Sequence, residues 1–273
     1  LDLNSGRERG RIYRIVPNNF RQSKPPKLSI ASIDELVATL SSRNGWRRDT
    51  AARLLYERND RGAIAGLVKL AQQSESPLAR VHALYALYAL DSLQALDETV
   101  LIKPLADTDA RVREQAIRLA EQLIASSPAI RQALCQMTSD RDLRVRYQLA
   151  FTLGEISGDA PIAALATLAA QDPSDSWMRV AIWSGLAGRA DKLLVELLRN
   201  PEIPRTSSGL ALLAALARQI AVQDGDKGVS TALSAIAPDS ASNANRPIVP
   251  AAAARGASPS RGRRRTPGRS AAC

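Results

Sequence analysis

Apolar residues recur with a period near 3.6 over most of this chain, and the recurrence is itself repeated. Five segments align on an arginine, at Arg48, Arg80, Arg113, Arg146 and Arg179, with spacings of 32, 33, 33 and 33 residues. One position before it stand Arg47, Ala79, Val112, Val145 and Met178, and three after it Ala51, Ala83, Ala116, Leu149 and Ile182. Four after come Ala52, Leu84, Ile117, Ala150 and Trp183; seven after, Leu55, Leu87, Ala120, Leu153 and Leu186. Offsets of −1, +3, +4 and +7 mark one face of an α-helix, and 19 of these 20 positions are apolar.

Four residues before each arginine stand Asn44, Ser76, Asp109, Asp142 and Asp175. Each is a residue type whose side-chain oxygen satisfies the free amides of a helix start. Pro77 follows its cap at the first helical position, where a missing N–H is no loss. Shorter apolar helices are predicted between these, at residues 33–40, 64–71, 93–105, 130–137, 162–169 and 193–198. A single hairpin of this kind cannot bury both faces, whereas stacked neighbours can. The expected fold is all-α, a right-handed α-solenoid of helical hairpins over residues 30–237.

The flanks break the pattern. Residues 10–16, GRIYRIV, form a short β-prone run with no partner strand elsewhere in the sequence, and a lone strand is not stable in water. Residues 17–29 hold Pro17, Pro25 and Pro26 and read as a linker. From residue 238 onward Ala, Ser, Pro, Arg and Gly dominate, so 238–273 reads as a disordered basic tail. That tail changes the meaning of the net charge of +10: residues 240–273 carry seven arginines and no acid, leaving 10 − 7 = +3 for the rest. No apolar stretch reaches the roughly 18 residues of a membrane span, and Cys135 and Cys273 make neither a disulfide framework nor a CxxC motif.

Candidate chemistry is sparse. His82 is the only histidine, which excludes a multi-histidine metal site; beside the apolar positions Ala83 and Leu84 it reads as a packed core residue. Cys135 reads as a small buried hydrophobe. Asp109 and Arg113, Asp142 and Arg146, and Asp175 and Arg179 form either an anion-binding row or, as cap plus i,i+4 pair, a structural ladder between repeats; the ladder is the expectation. Trp183 falls on the apolar stripe, whereas Trp46 and Trp177, each two residues after a cap, are candidate partner contacts or first-turn packing residues. Arg261–Arg265, RGRRR, has no interleaved aromatics for base stacking. Phosphate loops, paired catalytic carboxylates and EF-hand spacings do not occur, so no catalytic, cofactor or metal residue is expected.

The segments DTDARVREQA (107–116) and DRDLRVRYQLA (140–150) resemble the HEAT-repeat signature, an armadillo-type helical repeat. NGWRRDTAARLL (44–55) followed by PLARVHAL (77–84) is similar to the HEAT region of bacterial membrane-bound dehydrogenases of the planctomycete type. The resemblance covers residues 6–222. It implies a preceding β-propeller ending in a strand like residues 10–15, making 1–16 its remnant, and a following c-type cytochrome domain with a CxxCH motif. It also implies haem c, with a quinone as a second candidate cofactor, in a quinoprotein-like sugar dehydrogenase of the periplasm or cell envelope. No CxxCH occurs here and almost the whole propeller is missing, so the chain is expected to be a fragment without catalytic or haem-binding residues of its own.

Three functions follow for comparison. The first is a non-catalytic scaffold that meets a protein partner or adjacent domains of a longer propeller dehydrogenase–cytochrome c protein. The second is a nucleic-acid-binding HEAT protein using a basic surface and tail, disfavoured because Asp91, Asp97, Glu98, Glu114, Glu121 and Glu155 mix with the bases. The third, an independent enzyme such as a chromophore lyase, lacks an acid, base or nucleophile set.

Overall fold

A computed structural model describes residues 14–21, 24–90, 96–186, 188–223 and 225–236. These residues contain thirteen α-helices and no strand. In chain order they are α1 Ile33–Thr39, α2 Gly45–Arg58, α3 Ala63–Gln73, α4 Pro77–Ala89, α5 Glu98–Leu105, α6 Ala110–Ala120 and α7 Pro128–Gln136. There follow α8 Leu143–Glu155, α9 Ile162–Gln171, α10 Ser176–Ser184, α11 Ala190–Leu198, α12 Ser207–Gln223 and α13 Gly225–Ile236.

The helices pack in two rows. Each odd-numbered helix from α1 to α11 packs against the even-numbered helix that follows it, making a hairpin. The arginine-bearing helices α2, α4, α6, α8 and α10 pack each on the next. In the other row α1, α3, α5 and α7 lie side by side, as do α9, α11 and α13. Between α7 and α9 the 3-10 turn Met137–Ser139 fills the step. This is the α-solenoid read from the periodicity.

Burial follows the repeated offsets. Of the twenty stripe positions only Arg47, Ala52 and Trp183 are not buried. Leu55, Leu87, Ala120, Leu153 and Leu186, seven residues after the arginines, are at most 1% exposed. They join one continuous core from Leu28 to Ile220 that also takes Leu36, Leu67, Leu101, Ile130 and Leu134 from the opposite row. Each such leucine contributes about 1.5–3 kcal/mol on burial. Because every layer supplies half of its neighbour's core, stability is shared between layers rather than held in one centre.

Where the structure differs from the sequence expectation, end chemistry decides. The fifth helix begins at Glu98, where the Asp97 side chain accepts the Val100 amide and fixes the start; residues 93–95 of the expected helix lie outside the described residues. Of the β-prone run, residues 14–16 are exposed and form no strand, while 10–13 lie outside the described residues. The tail 238–273 also lies outside them. Among the described residues no helix is long and apolar enough to cross a membrane.

Candidate interaction face

The loops leading into α2, α4, α6 and α8 are built from three positions, and the loop into α10 shares only the cap. The cap side chain accepts helix amides: Asn44 from Arg47 at 3.4 Å, Ser76 from Ala79 at 3.3 Å, Asp109 from Arg111 at 2.8 Å, Asp142 from Arg144 at 2.8 Å, and Asp175 from Trp177 at 2.8 Å. Two residues earlier, Ser42, Ser74, Asp107 and Asp140 accept the cap residue's own amide at 2.8–3.3 Å. The main-chain oxygens of those same four residues receive Nη1 of Arg48, Arg80, Arg113 and Arg146 at 2.6–2.8 Å. The arginine thus closes the loop that starts its own helix.

Two of these arginines also form ion pairs with the next repeat. Arg80 holds Asp107 through Nε (2.7 Å) and Nη2 (2.6 Å), and Arg113 holds Asp140 through Nε (2.6 Å) and Nη2 (2.7 Å). Both are two-pronged guanidinium–carboxylate pairs, the strong geometry for this contact. They correct the ladder expected from the sequence. Asp109, Asp142 and Asp175 are not its carboxylates: each accepts through Oδ1 the amides that start its own helix and makes no ion pair among the described residues, while the bridging residues are Asp107 and Asp140. The row ends where the equivalent position changes type, to Ser74 on one side and Pro173 on the other. Arg48 instead donates from Nε to His82 Nε2 at 3.1 Å, and Arg179 lies over the Trp183 ring at 5.5 Å.

Burial opposes the charge on Asp140, yet the Arg113 bond, the Asp142 amide and the charges of Arg113 and Arg146 outweigh it and hold the carboxyl below its usual range. Arg113 is raised, chiefly by the same bond. His82 is lowered, first by burial and then by the charge of Arg48, with Asp49 opposing. An imidazole whose folded pKa lies below about 6.5 leaves the unfolded chain binding the extra proton, so stability falls as pH drops through that value. The chain is therefore expected to melt at lower temperature at pH 5.5 than at pH 7.5. His82→Gln, which keeps an acceptor for Arg48 without a titrating ring, should flatten that difference. An unchanged pH dependence in the variant would remove His82 as its source.

The helices of the same row carry most of the aromatic residues, four of them exposed. The sequence holds 3 Trp, 5 Tyr and 2 Phe. Eight of these ten lie in arginine-row helices: Trp46 and Tyr56 in α2, Tyr85 and Tyr88 in α4, Tyr147 and Phe151 in α8, Trp177 and Trp183 in α10. Trp46 and Trp177 are 62% and 72% exposed, and Tyr56 and Tyr88 are exposed as well. Trp183, expected in the core, is half-buried at the margin of the stripe. Cys135 is likewise only half-buried, and burial pushes its thiol up. Polar bonds tie the face from repeat to repeat, from Tyr85 to Gln115 at 2.6 Å and from Arg118 to Gln148 at 3.1 Å. The aromatic segregation was not drawn from the sequence, although aligning Trp, Tyr and Phe on the repeat would have revealed it. Among the described residues no group of three or more His, Cys, Asp or Glu could hold a metal ion.

Residues 98–187 match the family model for HEAT repeats. That stretch runs from α5 to α10 and contains the Arg113–Asp140 bridge. No curated protein sequence matches the chain. Among solved structures, two engineered proteins align at 20% and 21% identity, each over 74% of this chain and over 95% and 61% of their own, with TM-scores of 0.42 and 0.34. A designed armadillo repeat protein aligns at 17% identity over 77% of this chain and 94% of its own, with a TM-score of 0.34. The repeat architecture stands on the hairpins, bridges and stripe burial of the chain itself.

Proposed function

We propose that this chain is a non-catalytic scaffold that binds a protein partner along the solvent side of α2, α4, α6, α8 and α10. The observation that carries the reading is the placement of eight of ten aromatic residues on that one row, four of them exposed. Tryptophan, tyrosine and arginine are the residue types that anchor protein interfaces. A solenoid also spreads its side chains along a line rather than converging them on one reacting atom.

The resemblance of residues 6–222 to the HEAT region of membrane-bound dehydrogenases supports a larger setting. There the scaffold sits between a propeller dehydrogenase and a c-type cytochrome in the cell envelope, and the partner is an adjacent domain or the electron acceptor. Haem c and a quinone would belong to those other domains. Coding sequence upstream for propeller strands and downstream for CxxCH is the expected finding; flanks encoding neither would remove this setting while leaving the scaffold.

Photo-crosslinking separates the face from the rest. A benzophenone amino acid at Trp177 in α10 is expected to capture partner, and the same probe at Lys69, exposed on α3 in the other row, is not. Capture only from Lys69 would overturn the assignment.

A further inference from the structure

The residue two before each repeat arginine is exposed in all five helices, and these residues are Trp46, Leu78, Arg111, Arg144 and Trp177. Since α2, α4, α6, α8 and α10 pack side by side in register, the five form a line across the stack, stepping by the roughly 8–10 Å between packed helix axes. Read along the line, the chemistry is aromatic, aliphatic, cationic, cationic, aromatic.

The two guanidinium groups of the line, at its third and fourth positions, are uncommitted. Arg80 and Arg113 are taken by Asp107 and Asp140, Arg118 by Gln148 and Arg53 by Glu57. Arg111 and Arg144 make no side-chain hydrogen bond or ion pair among the described residues, and only their main-chain amides are used, by the caps. Leu143, 54% exposed, lies beside Arg144 and extends the apolar surround. Paired exposed arginines between apolar ends call for carboxylates at matching separation, because a guanidinium fork fits a carboxylate.

The step length selects the conformation of that partner. A polyproline II segment has three residues per turn and rises about 3.1 Å per residue, so every third side chain returns to the same side after roughly 9 Å. A β-strand alternates sides with period two and would turn every second one of those side chains away. We infer that this line docks an extended, polyproline II-like acidic segment of a partner protein. Its two carboxylates are three residues apart, and apolar side chains at further three-residue steps reach Leu78, Trp46 and Trp177. A nucleic-acid backbone fits less well: its phosphates form an unbroken anionic run, whereas only the third and fourth positions of this line are cationic and the others are apolar. The inference rests on the protein-binding reading above and narrows it to one partner chemistry.

The test uses the full chain and a fluorescein-labelled thirteen-residue peptide. The peptide has leucine at positions one, four and thirteen, glutamate at seven and ten, and proline, alanine and serine between. A permuted peptide of the same composition has the glutamates adjacent, and a single-stranded oligonucleotide serves as the nucleic-acid arm. By anisotropy, the registered peptide is expected to bind at least about tenfold tighter than the permuted one, a difference of about 1.4 kcal/mol. Arg111→Glu with Arg144→Glu should abolish that preference while the circular-dichroism melt stays that of the parent, since both side chains are exposed. Arg53→Glu, on an exposed position outside the line, should leave binding unchanged. Equal binding of the two peptides, parent-like binding by the double variant, or tighter binding of the oligonucleotide would each overturn the inference. If crosslinking from Trp177 still captured partner, the inference alone would fail and the scaffold reading would stand.

Discussion

Replacing Arg113 with alanine is expected to destabilise the chain by about 3–5 kcal/mol, the range for removing one member of a buried ion pair. The Asp140 side chain is only 8% exposed, so the loss strands a carboxylate that water reaches poorly. It also frees the Asp107 main-chain oxygen that Arg113 caps within its own loop. The effect is thus larger than that of an exposed pair such as Arg205–Glu202, worth at most about 1 kcal/mol. Asp140→Asn added to Arg113→Met should recover much of the loss. The asparagine oxygen still accepts the Asp142 amide that Asp140 now takes at 2.9 Å, and the uncompensated charge is gone. Urea unfolding followed by circular dichroism reads the parent, Arg113→Ala and the double variant. The sign with pH is fixed: a carboxyl lowered in the folded state contributes fully above about 3.9 and loses its contribution as pH falls through its lower folded value. The gap between parent and Arg113→Ala should accordingly close in acid. A single variant as stable as the parent at pH 7 would show the bridge to be ornamental.

The second large effect is expected where α8 and α10 meet backbone to backbone. A Cβ placed on Gly185 would stand 2.3 Å from the Gly154 Cα, and one on Gly154 would stand 2.7 Å from the Gly185 Cα. No flexible side-chain tip can yield there, so the helices themselves must separate. Gly185→Ala is expected to lose about 1–3 kcal/mol or more. The loss should concentrate between the fourth and fifth arginine layers, seen as faster amide exchange in α10 than in α6. Arg189 joins the same seam, donating to the main-chain oxygens of Ile156 (2.7 Å), Gly158 (2.8 Å) and Gly154 (2.8 Å). By contrast Gly45→Ala meets only the Arg48 guanidinium at 3.6 Å and should be neutral or slightly stabilising. Equal behaviour of Gly185→Ala and Gly45→Ala would deny that the two helices touch.

Local chemistry was legible in the sequence, and cross-repeat chemistry was not. The stripe at −1, +3, +4 and +7 and the cap at −4 are properties of single helices, so one chain read in order displays them. The bridge joins Arg80 to Asp107 and Arg113 to Asp140, each 27 residues on, and that pairing depends on how one loop overlies the next. Sequence proximity favoured the cap aspartates instead, yet the arginine meets the next repeat two residues before its cap, at Asp107 and Asp140. The signal was present in weaker form: only two repeats carry Asp six residues before the arginine, where the others have Ser42, Ser74 and Pro173. The candidate face was half legible. Trp46 and Trp177 stood out as large apolar residues just after a cap, but the line through Leu78, Arg111 and Arg144 appears only when the five helices are placed side by side. The α5 boundary at Glu98 is set by the Asp97 cap, a polar signal that the apolar residues around it hid.

Distances along the arginine row test the stacked-layer architecture most directly. With Cys135 and Cys273 replaced by serine, nitroxide labels can be placed at the exposed positions 46, 78, 144 and 177, which have no core contacts to disturb. Double electron–electron resonance should then give separations that grow with the number of layers spanned: about 20 Å for 78–144, about 30 Å for 78–177 and about 40 Å for 46–177, at one helix spacing per layer. Separations that fail to rise in that order would contradict a solenoid of successive hairpins, and with it the continuous face on which the proposed partner binding depends.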